Sequence, residues 1–188
     1  MADVTTPEIS AAEAFALLLE TACEDFEILQ ALVNGEIQVA SPNLDEATPA
    51  NKHDHRKAHR AARAAQRIQM ALAKSFVFNA RRANRVCDLN KARLALDRVE
   101  RTRFMKATQP LIAVRDVNEH GFDGNGSTKP SWHIQEGGRL DETSLVIDGP
   151  QKILMGPLNL CTVYLAVDRM RTFAGFGALA GATFRPPG

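Results

Sequence analysis

The most constraining feature of the sequence is the stretch from Lys52 to Cys87, which contains no proline and no glycine and is rich in alanine. Alanine has the highest intrinsic helix propensity, and proline and glycine are the residues that interrupt helices, so the stretch predicts one helix of about 30 residues. Its first half is basic and has few large apolar residues, whereas Ile68, Leu72, Phe76 and Val77 provide a core face further on. We therefore expect the first half of this helix to project from the core.

Helical patterns flank this stretch on both sides. Ser10 and Glu13 form a capping box, in which each side chain bonds the free backbone N–H of the other, and apolar residues recur behind it at helical spacing until Asn34-Gly35. On the other side, a third helical region is predicted over about residues 91–117. It is expected to bend near Pro110, which lacks a backbone N–H.

After His120 the sequence changes to short runs of β-type composition. These runs are residues 131–135, 143–147 and 152–155. Asp148-Gly149 between the last two is a hairpin signal, so a small β excursion is expected over about residues 131–156. A final amphipathic helix should begin at Pro157, and the tail over about residues 175–188 should be frayed.

Together these elements predict a single, mainly all-α domain over residues 1–188, built as an antiparallel bundle of about four to five helices with a β-hairpin between the last two. Apolar residues make up 45% of the chain and charged residues 24%, which is typical of a soluble globular protein. The longest apolar run is far too short to span a membrane, and the first residues lack the basic region of a secretory signal. The three widely spaced cysteines are expected to be buried thiols. We expect a cytoplasmic protein with no membrane partner.

The charges of the chain are strongly segregated. Residues 1–50 contain ten acidic and no basic residues, whereas residues 52–106 contain sixteen basic and four acidic ones. Two interpretations follow. In the first, an acidic first helix packs against a basic second helix and the charges offset each other, so that Arg81, Arg82 and Arg85 contact acidic residues of the first helix. In the second, part of the basic face remains open to a polyanion.

One short motif points to chemistry: Arg115 and His120 are separated by four residues, Asp116 follows the arginine directly, and Gly121 follows the histidine. This motif resembles the R-x(4–6)-H motif of the HEPN family (higher eukaryotes and prokaryotes nucleotide-binding), whose members are helical bundles. Many of them are metal-independent ribonucleases of toxin–antitoxin, anti-phage and RNA-processing systems. The resemblance implies a HEPN-like bundle and an endoribonuclease that works as a homodimer, with RNA as substrate and an antitoxin or nucleotidyltransferase-type protein as a partner.

The residue types of the motif suit cleavage of RNA by its own 2′-OH. Imidazole has a free pKa near ~6.5, so His120 is expected to accept or donate protons at neutral pH. The guanidinium of Arg115 remains charged and pairs with phosphate oxygens. Asp116 is expected to orient one of these two residues, and Asn118 to add a polar contact.

Geometry sets a condition on this pair. Residues five apart on a continuous helix are rotated by about 140°, so Arg115 and His120 converge only if the helix ends at His120 or if two protomers share one site. The backbone of the RNA is expected to bind the basic residues of the second helix, which are Lys74, Arg81, Arg82 and Arg85.

Several alternatives remain open at this level. The same bundle is also compatible with a non-catalytic HEPN-like module that binds RNA, a nucleotide or a protein, and Arg115 and His120 are also compatible with a purely structural helix end. His53, His55 and His59 lie at the start of the long helix, and His55 and His59 are four residues apart, a spacing suited to a metal ion, but the surrounding lysines and arginines favour a solvated helix start. No metal and no cofactor are therefore expected, and the motifs of nucleotide-hydrolysing enzymes, dehydrogenases and α/β-hydrolases are absent from the sequence.

Overall fold

The computed structural model of the chain describes residues 9–38, 52–112, 114, 145–156 and 158–174, with only the backbone described for residues 52–58. This part is mainly helical and includes a small three-stranded antiparallel sheet, which confirms the mainly-α fold class. Its helices are α1 (Ala11–Val33), α2 (Lys52–Leu89), α3 (Arg98–Thr108) and α4 (Leu160–Phe173). Its strands are β1 (Leu145–Ile147), β2 (Ile153–Met155) and β3 (Leu158–Asn159). The predicted strand at 131–135, the tail from residue 175 and the motif at 115–120 lie outside the described residues.

Helix α1 has the predicted ends. The backbone N–H of Ser10 donates to Glu13 Oε2 at 2.8 Å, and the N–H of Glu13 donates to Ser10 Oγ at 3.2 Å, so the capping box is complete. At the other end Asn34 caps the helix, and Gly35 has a φ of +75°, a left-handed conformation that glycine adopts without steric cost. The capping box and the Asn34-Gly35 stop are therefore confirmed.

Helix α2 is a single helix of 38 residues, as its composition predicts. From residue 59 to residue 72 no side chain is buried, and the buried ones begin at Ala73. This agrees with a projecting first half. One predicted core residue is wrong: Ile68 is 40% exposed, because it lies on the part of the helix that precedes the first contact with the core. Phe76 and Val77 are buried as expected.

Helix α3 begins later than predicted, at Arg98 instead of about residue 91. A turn follows α2, and Ala95 has a φ of +47°, which no α-helix accommodates. The new helix begins where Asp97 Oδ1 accepts hydrogen bonds from the N–H groups of Val99 (2.8 Å) and Glu100 (3.1 Å). After a turn at Gln109–Pro110, helical geometry resumes at residue 111, at the position of the predicted bend.

The predicted hairpin is confirmed, and the sheet continues beyond it. Strand β1 pairs with β2 in an antiparallel register that places Leu145 opposite Met155, and Gly149 in the turn has a φ of +82°. Strand β3 then pairs with the other edge of β2, so the sheet extends past residue 156. Helix α4 consequently begins at Leu160 and not at Pro157, with Asn159 Oδ1 accepting from the N–H of Cys161 at 3.1 Å.

The core lies between the four helices, which contact one another in the pairs α1–α2, α2–α3, α3–α4 and α4–α1. Phe26 of α1 is central to it. Its ring lies 4.9 Å from that of Phe76 in α2 and stacks on Tyr164 of α4 at 4.6 Å, while Phe15 meets Phe104 of α3 edge to face at 5.9 Å. Aromatic contacts of this kind stabilise a core beyond the area they bury, and here they join α1 to all three other helices.

Two other expectations are tested by this part of the fold. Cys23 and Cys87 are buried free thiols as expected, whereas Cys161 is only half-buried. Burial raises the pKa of the Cys23 thiol to about 12. Among the described helices, none combines the length and apolar character needed to cross a membrane.

Candidate nucleic-acid interface

The residues predicted to be catalytic, Arg115, Asp116, Asn118 and His120, lie outside the described residues. The chain can be followed up to their boundary. Ile112 is half-buried and Val114 is 3% exposed, so the segment that leads into the motif is anchored in the core. Arg115 is the next residue along the chain.

An open cavity of about 560 Å³ lies between the end of α2 and α3, directly before this segment. We call it the α2–α3 cleft. Its walls include Arg81, Arg85, Asp88, Met105, Lys106 and Ile112. Its volume lies within the range of about 300–1,000 Å³ in which proteins bind small ligands, so it is large enough for a ligand of nucleotide size.

A buried polar contact holds the two sides of the cleft together. Asn84 of α2 is 5% exposed, and its amide donates to Thr108 Oγ1 at 2.7 Å and to the carbonyl oxygen of Met105 at 3.3 Å. Thr108 in turn donates to the carbonyl oxygen of Phe104 at 2.7 Å. Buried polar groups are costly unless they are hydrogen-bonded, so these bonds fix the register of α3 against α2.

The same amide also holds a cation at the cleft. Arg81 Nη1 donates to Asn84 Oδ1 at 3.0 Å, which places the guanidinium of Arg81 on the cleft wall next to the helix contact. Asn84 therefore acts as a positioning residue, because it joins the α2–α3 contact to the orientation of Arg81.

The charge of the cleft is predominantly positive. Arg85 and Lys106 are exposed, and neither makes an ion pair with another described residue. Asp88 is the acidic residue of the lining, but Lys91 Nζ lies 2.7 Å from its Oδ1. The hydrogen bond from Lys91 lowers the pKa of Asp88, so this carboxylate remains ionised and paired with Lys91, while Arg85 and Lys106 are available to an anion.

The four residues predicted to contact RNA divide into two groups. Arg81 and Arg85 both line the cleft, and the structure brings them together. Lys74 is exposed two helical turns earlier and does not line it. Arg82 points elsewhere, because its guanidinium lies over the ring of Phe78, 5.3 Å from the centroid; a cation in this position is attracted by the π-face of the ring.

The described ion pairs do not support the interpretation that the negative charge of α1 offsets the positive charge of α2. Glu20 and Glu27 of α1 pair with Arg171 of α4, at 3.4 and 3.1 Å. Asp25 accepts a hydrogen bond from the neutral Asn79 of α2 at 3.2 Å. Helices α1 and α2 are packed together, yet no ion pair among the described residues joins them. The contacts expected between α1 and Arg81, Arg82 and Arg85 are therefore absent from the described part of the chain.

The charged cluster around Arg171 is a structural contact between α1 and α4. Arg171 also bonds Asp168 Oδ1 at 2.6 Å, and Tyr164 Oη donates to Glu27 Oε1 at 3.0 Å. Burial and this bond to Glu27 raise the pKa of Tyr164, so the phenol remains a proton donor. These contacts join α1 to α4, so the cluster has a structural role in the fold.

The histidines at the start of α2 add no site to this description. His59 is exposed, and the side chains of His53 and His55 lie outside the described residues. Within the residues that are described, no three His, Cys, Asp or Glu side chains are grouped as metal ligands would be.

Sequence reasoning missed Asn84, Met105 and Lys106 of the cleft lining, and also the buried Thr108 that bonds Asn84. A signal existed for Asn84, because it is a polar residue within the helical repeat of Ala80, Ala83 and Cys87 that faces the core. No comparable signal marked Thr108 or Met105, since their importance comes from the α2–α3 contact. Comparisons of the chain with protein-family models, with curated proteins and with solved structures gave no match.

Proposed function

We propose that this protein is a metal-independent endoribonuclease of HEPN type, which cleaves single-stranded or loop RNA and binds the RNA backbone at the α2–α3 cleft. The observation that carries the proposal is the position of the cleft. Arg81, Arg85 and Lys106 line it together with Ile112, three residues before Arg115 in the chain. A phosphate bound by these cations would therefore lie next to the segment that precedes Arg115 and His120, the two residues whose chemistry suits phosphodiester cleavage.

The reaction is a transesterification. The ribose 2′-oxygen attacks the adjacent phosphorus, a 2′,3′-cyclic phosphate forms, and the bond to the 5′-oxygen of the next nucleotide breaks. His120 takes the proton from the 2′-OH or supplies one to the leaving 5′-oxygen. Arg115 stabilises the negative charge that develops on the phosphate, with Asp116 and Asn118 in supporting roles. Two protomers sharing one site would provide both a proton acceptor and a proton donor.

Single strands are the expected substrate for a geometric reason. The 2′-oxygen must align with the leaving 5′-oxygen, and an A-form duplex holds the sugar–phosphate backbone in a conformation that disfavours this alignment. The biological setting that the motif suggests is a toxin–antitoxin or anti-phage system, with an antitoxin or nucleotidyltransferase-type protein as partner.

The test is incubation of the purified protein with a mixed RNA pool in excess EDTA, followed by analysis of the new ends. Products with 2′,3′-cyclic phosphate and 5′-hydroxyl ends are expected, and DNA of the same sequence should bind without being cut. His120→Ala should lower the rate by roughly 10²–10⁴-fold. His59→Ala is the matched control, since His59 is an exposed histidine near the other end of α2, and it should retain full activity.

Two outcomes would overturn the nuclease assignment. The first is cleavage by His120→Ala at the wild-type rate, which would place the activity elsewhere or in a contaminant. The second is RNA binding without any cleavage, which would favour a non-catalytic HEPN-like module that uses the same cleft.

A further inference from the structure

Six of the cations of α2 are arranged in one line. At about 100° of rotation per residue, Arg60, Arg63, Arg67, Lys74, Arg81 and Arg85 fall within an arc of about 60° on the helix surface. We call these six residues the cationic stripe. Five of them are exposed, and Arg81 is half-buried at the cleft. The stripe extends over 25 residues, or about 37 Å at a rise of ~1.5 Å per residue.

The four cations of the stripe that precede the cleft are not paired within the described part of the fold. Arg60, Arg63, Arg67 and Lys74 make no ion pair with any described residue, and the two acidic residues of α1 that form described ion pairs, Glu20 and Glu27, pair with Arg171. Like charges along one helix face repel each other and cost stability. A row of four cations without a described ion pair is therefore a feature that a partner of opposite charge would explain.

The described part of the fold shows no packing role for residues 59–67 in the first half of α2. The face opposite the stripe carries Ala61, Ala62 and Ala65, with Gln69 and Leu72 only near its end, and no side chain from residue 59 to residue 72 is buried. A membrane-surface helix needs a broad face of large apolar residues next to its basic face, and this half of α2 lacks one. A polyanion in solution fits the arrangement better than a lipid surface.

The stripe also continues into the α2–α3 cleft. Arg81 and Arg85 belong to both, and Lys74 lies two turns before Arg81. Near this junction Phe78 lies on the same face and is 39% exposed, with Arg82 over its ring. Aromatic rings next to cations are a common feature of surfaces that bind single-stranded nucleic acid.

We propose that the cationic stripe binds the single-stranded RNA that flanks the segment held in the cleft, so that the substrate is a single strand of about ten nucleotides or more. This rests on the proposed function. A single strand presents one line of phosphates and bends to follow a straight helix. A duplex presents two strands that curve away from it, and would need cations spread over a wider face. At the ~3.4 Å rise of a stacked strand, about 37 Å corresponds to about 11 nucleotides.

The test compares two double variants that remove the same charge. Arg63→Gln/Arg67→Gln shortens the stripe, and Arg93→Gln/Arg98→Gln removes two exposed arginines from the segment between α2 and α3 and from the start of α3. Glutamine has nearly the helix propensity of arginine, so the helix should be retained, which circular dichroism checks. The probes are fluorescent oligodeoxyuridylates of four and twenty nucleotides, which cannot be cleaved through a 2′-OH, titrated over a range of salt concentrations.

The expected result depends on probe length. The twenty-nucleotide probe should bind Arg63→Gln/Arg67→Gln at least about tenfold more weakly than it binds the wild type at 0.1 M salt. The magnitude of the slope of log K against log salt should decrease by about 1.4, because two phosphate contacts are lost and each contact on a single strand contributes ~0.7. The four-nucleotide probe should be unaffected. Arg93→Gln/Arg98→Gln should match the wild type with both probes.

Three results would overturn the proposal: equal binding of the long probe by the two double variants, tighter binding of a twenty-base-pair duplex than of the single strand, or binding to anionic vesicles that the single strand cannot displace. The proposed nuclease function is judged separately, because cleavage of short RNA depends on the cleft and the motif. If cleavage fails but the length-dependent binding remains, the stripe belongs to a non-catalytic RNA-binding protein.

Discussion

At the scale of single residues, Asn84 shows how one polar side chain contributes to both the fold and the candidate site. It lies at a core-facing position of α2, where Ala80, Ala83 and Cys87 are all fully buried. An apolar residue at that position would pack equally well, but it would provide neither the bond to Thr108 nor the acceptor for Arg81. The Asn84 side chain therefore provides a specific contact between α2 and α3, which an apolar side chain could not form.

Replacing Asn84 should affect stability and binding together. Asn84→Ala removes the hydrogen bonds that join α2 to α3, and we expect the free energy of unfolding to fall by about 1–3 kcal/mol, measured by urea denaturation. Affinity for RNA should also fall, because Arg81 loses its fixed acceptor. Asn90→Ala is the matched control: Asn90 is half-buried and bonds only the carbonyl oxygen of Val86 within its own chain segment, at 3.0 Å. Equal effects of the two variants would contradict the positioning role.

At the scale of elements, α2 consists of two halves with different environments. Its second half is packed against α1 and α3, and its first half has no buried side chain between residues 59 and 72. Isolated helices are only marginally stable in water, so the first half depends on its alanine content and on continuity with the packed half.

Hydrogen exchange should reveal this division. Amides of residues 59–72 are expected to exchange early, through local opening of the helix. Amides of residues 73–87 should exchange much later, because their exchange requires global unfolding. Added single-stranded RNA should slow exchange in the first half if the cationic stripe binds it. Uniform protection along α2 in the free protein would show that the first half is packed against something.

Helices α3 and α4 are linked by a charged pair that makes stability depend on pH. Arg169 Nε and Nη2 each lie 2.7 Å from an oxygen of Glu100, and Arg103 lies 2.9 Å from the same carboxylate. The hydrogen bond from Arg169 lowers the pKa of Glu100 below its ordinary value of 4.5. A carboxylate with a lowered folded-state pKa contributes stability that is fully present above its ordinary value and is lost as the pH falls through the lower folded-state value.

The sign of this effect gives a direct test. Glu100→Gln should have a lower melting temperature than the wild type at pH 7, and the difference should shrink as the pH falls below 4.5 and Glu100 itself becomes protonated. Glu24→Gln is the control, because Glu24 is exposed and makes no ion pair with a described residue; it should leave the melting temperature nearly unchanged at every pH. If the difference in melting temperature between Glu100→Gln and the wild type did not change with pH, the contribution of Glu100 to stability would depend on its shape and not on its charge.

At the scale of the whole molecule, the proposed reaction makes a demand that one protomer cannot easily meet. Arg115 and His120 are five residues apart, and on a continuous helix they would lie about 140° apart. A homodimer with its two-fold axis near this segment would bring an arginine and a histidine from different protomers into one site.

The expected species is therefore a dimer of the 20.6 kDa chain. Light scattering at tens of micromolar protein measures its mass directly. Mixing Arg115→Ala with His120→Ala protomers should also restore part of the activity if each shared site needs one residue from each chain. A monomer with full nuclease activity would remove the argument for a shared site.

The sequence by itself determined the local features of this protein, because each depends on neighbours a few residues away. The capping box at Ser10 and Glu13, the long uninterrupted α2 and the turn at Gly149 all follow from residues within one or two helical turns or within one hairpin. It also located the cations of α2, including the two that line the cleft.

Only the tertiary structure decided which of these local features meet. The start of α3 at Arg98 and of α4 at Leu160 depended on caps competing with nearby turns and strand pairing. Glu20 and Glu27 pair with Arg171, 144 residues or more along the chain from either, and not with the cations of α2. Asn84 and Thr108 bond across the two helices that line the cleft. Contacts between residues distant in sequence depend on how whole helices pack, and no spacing along the chain encodes that directly.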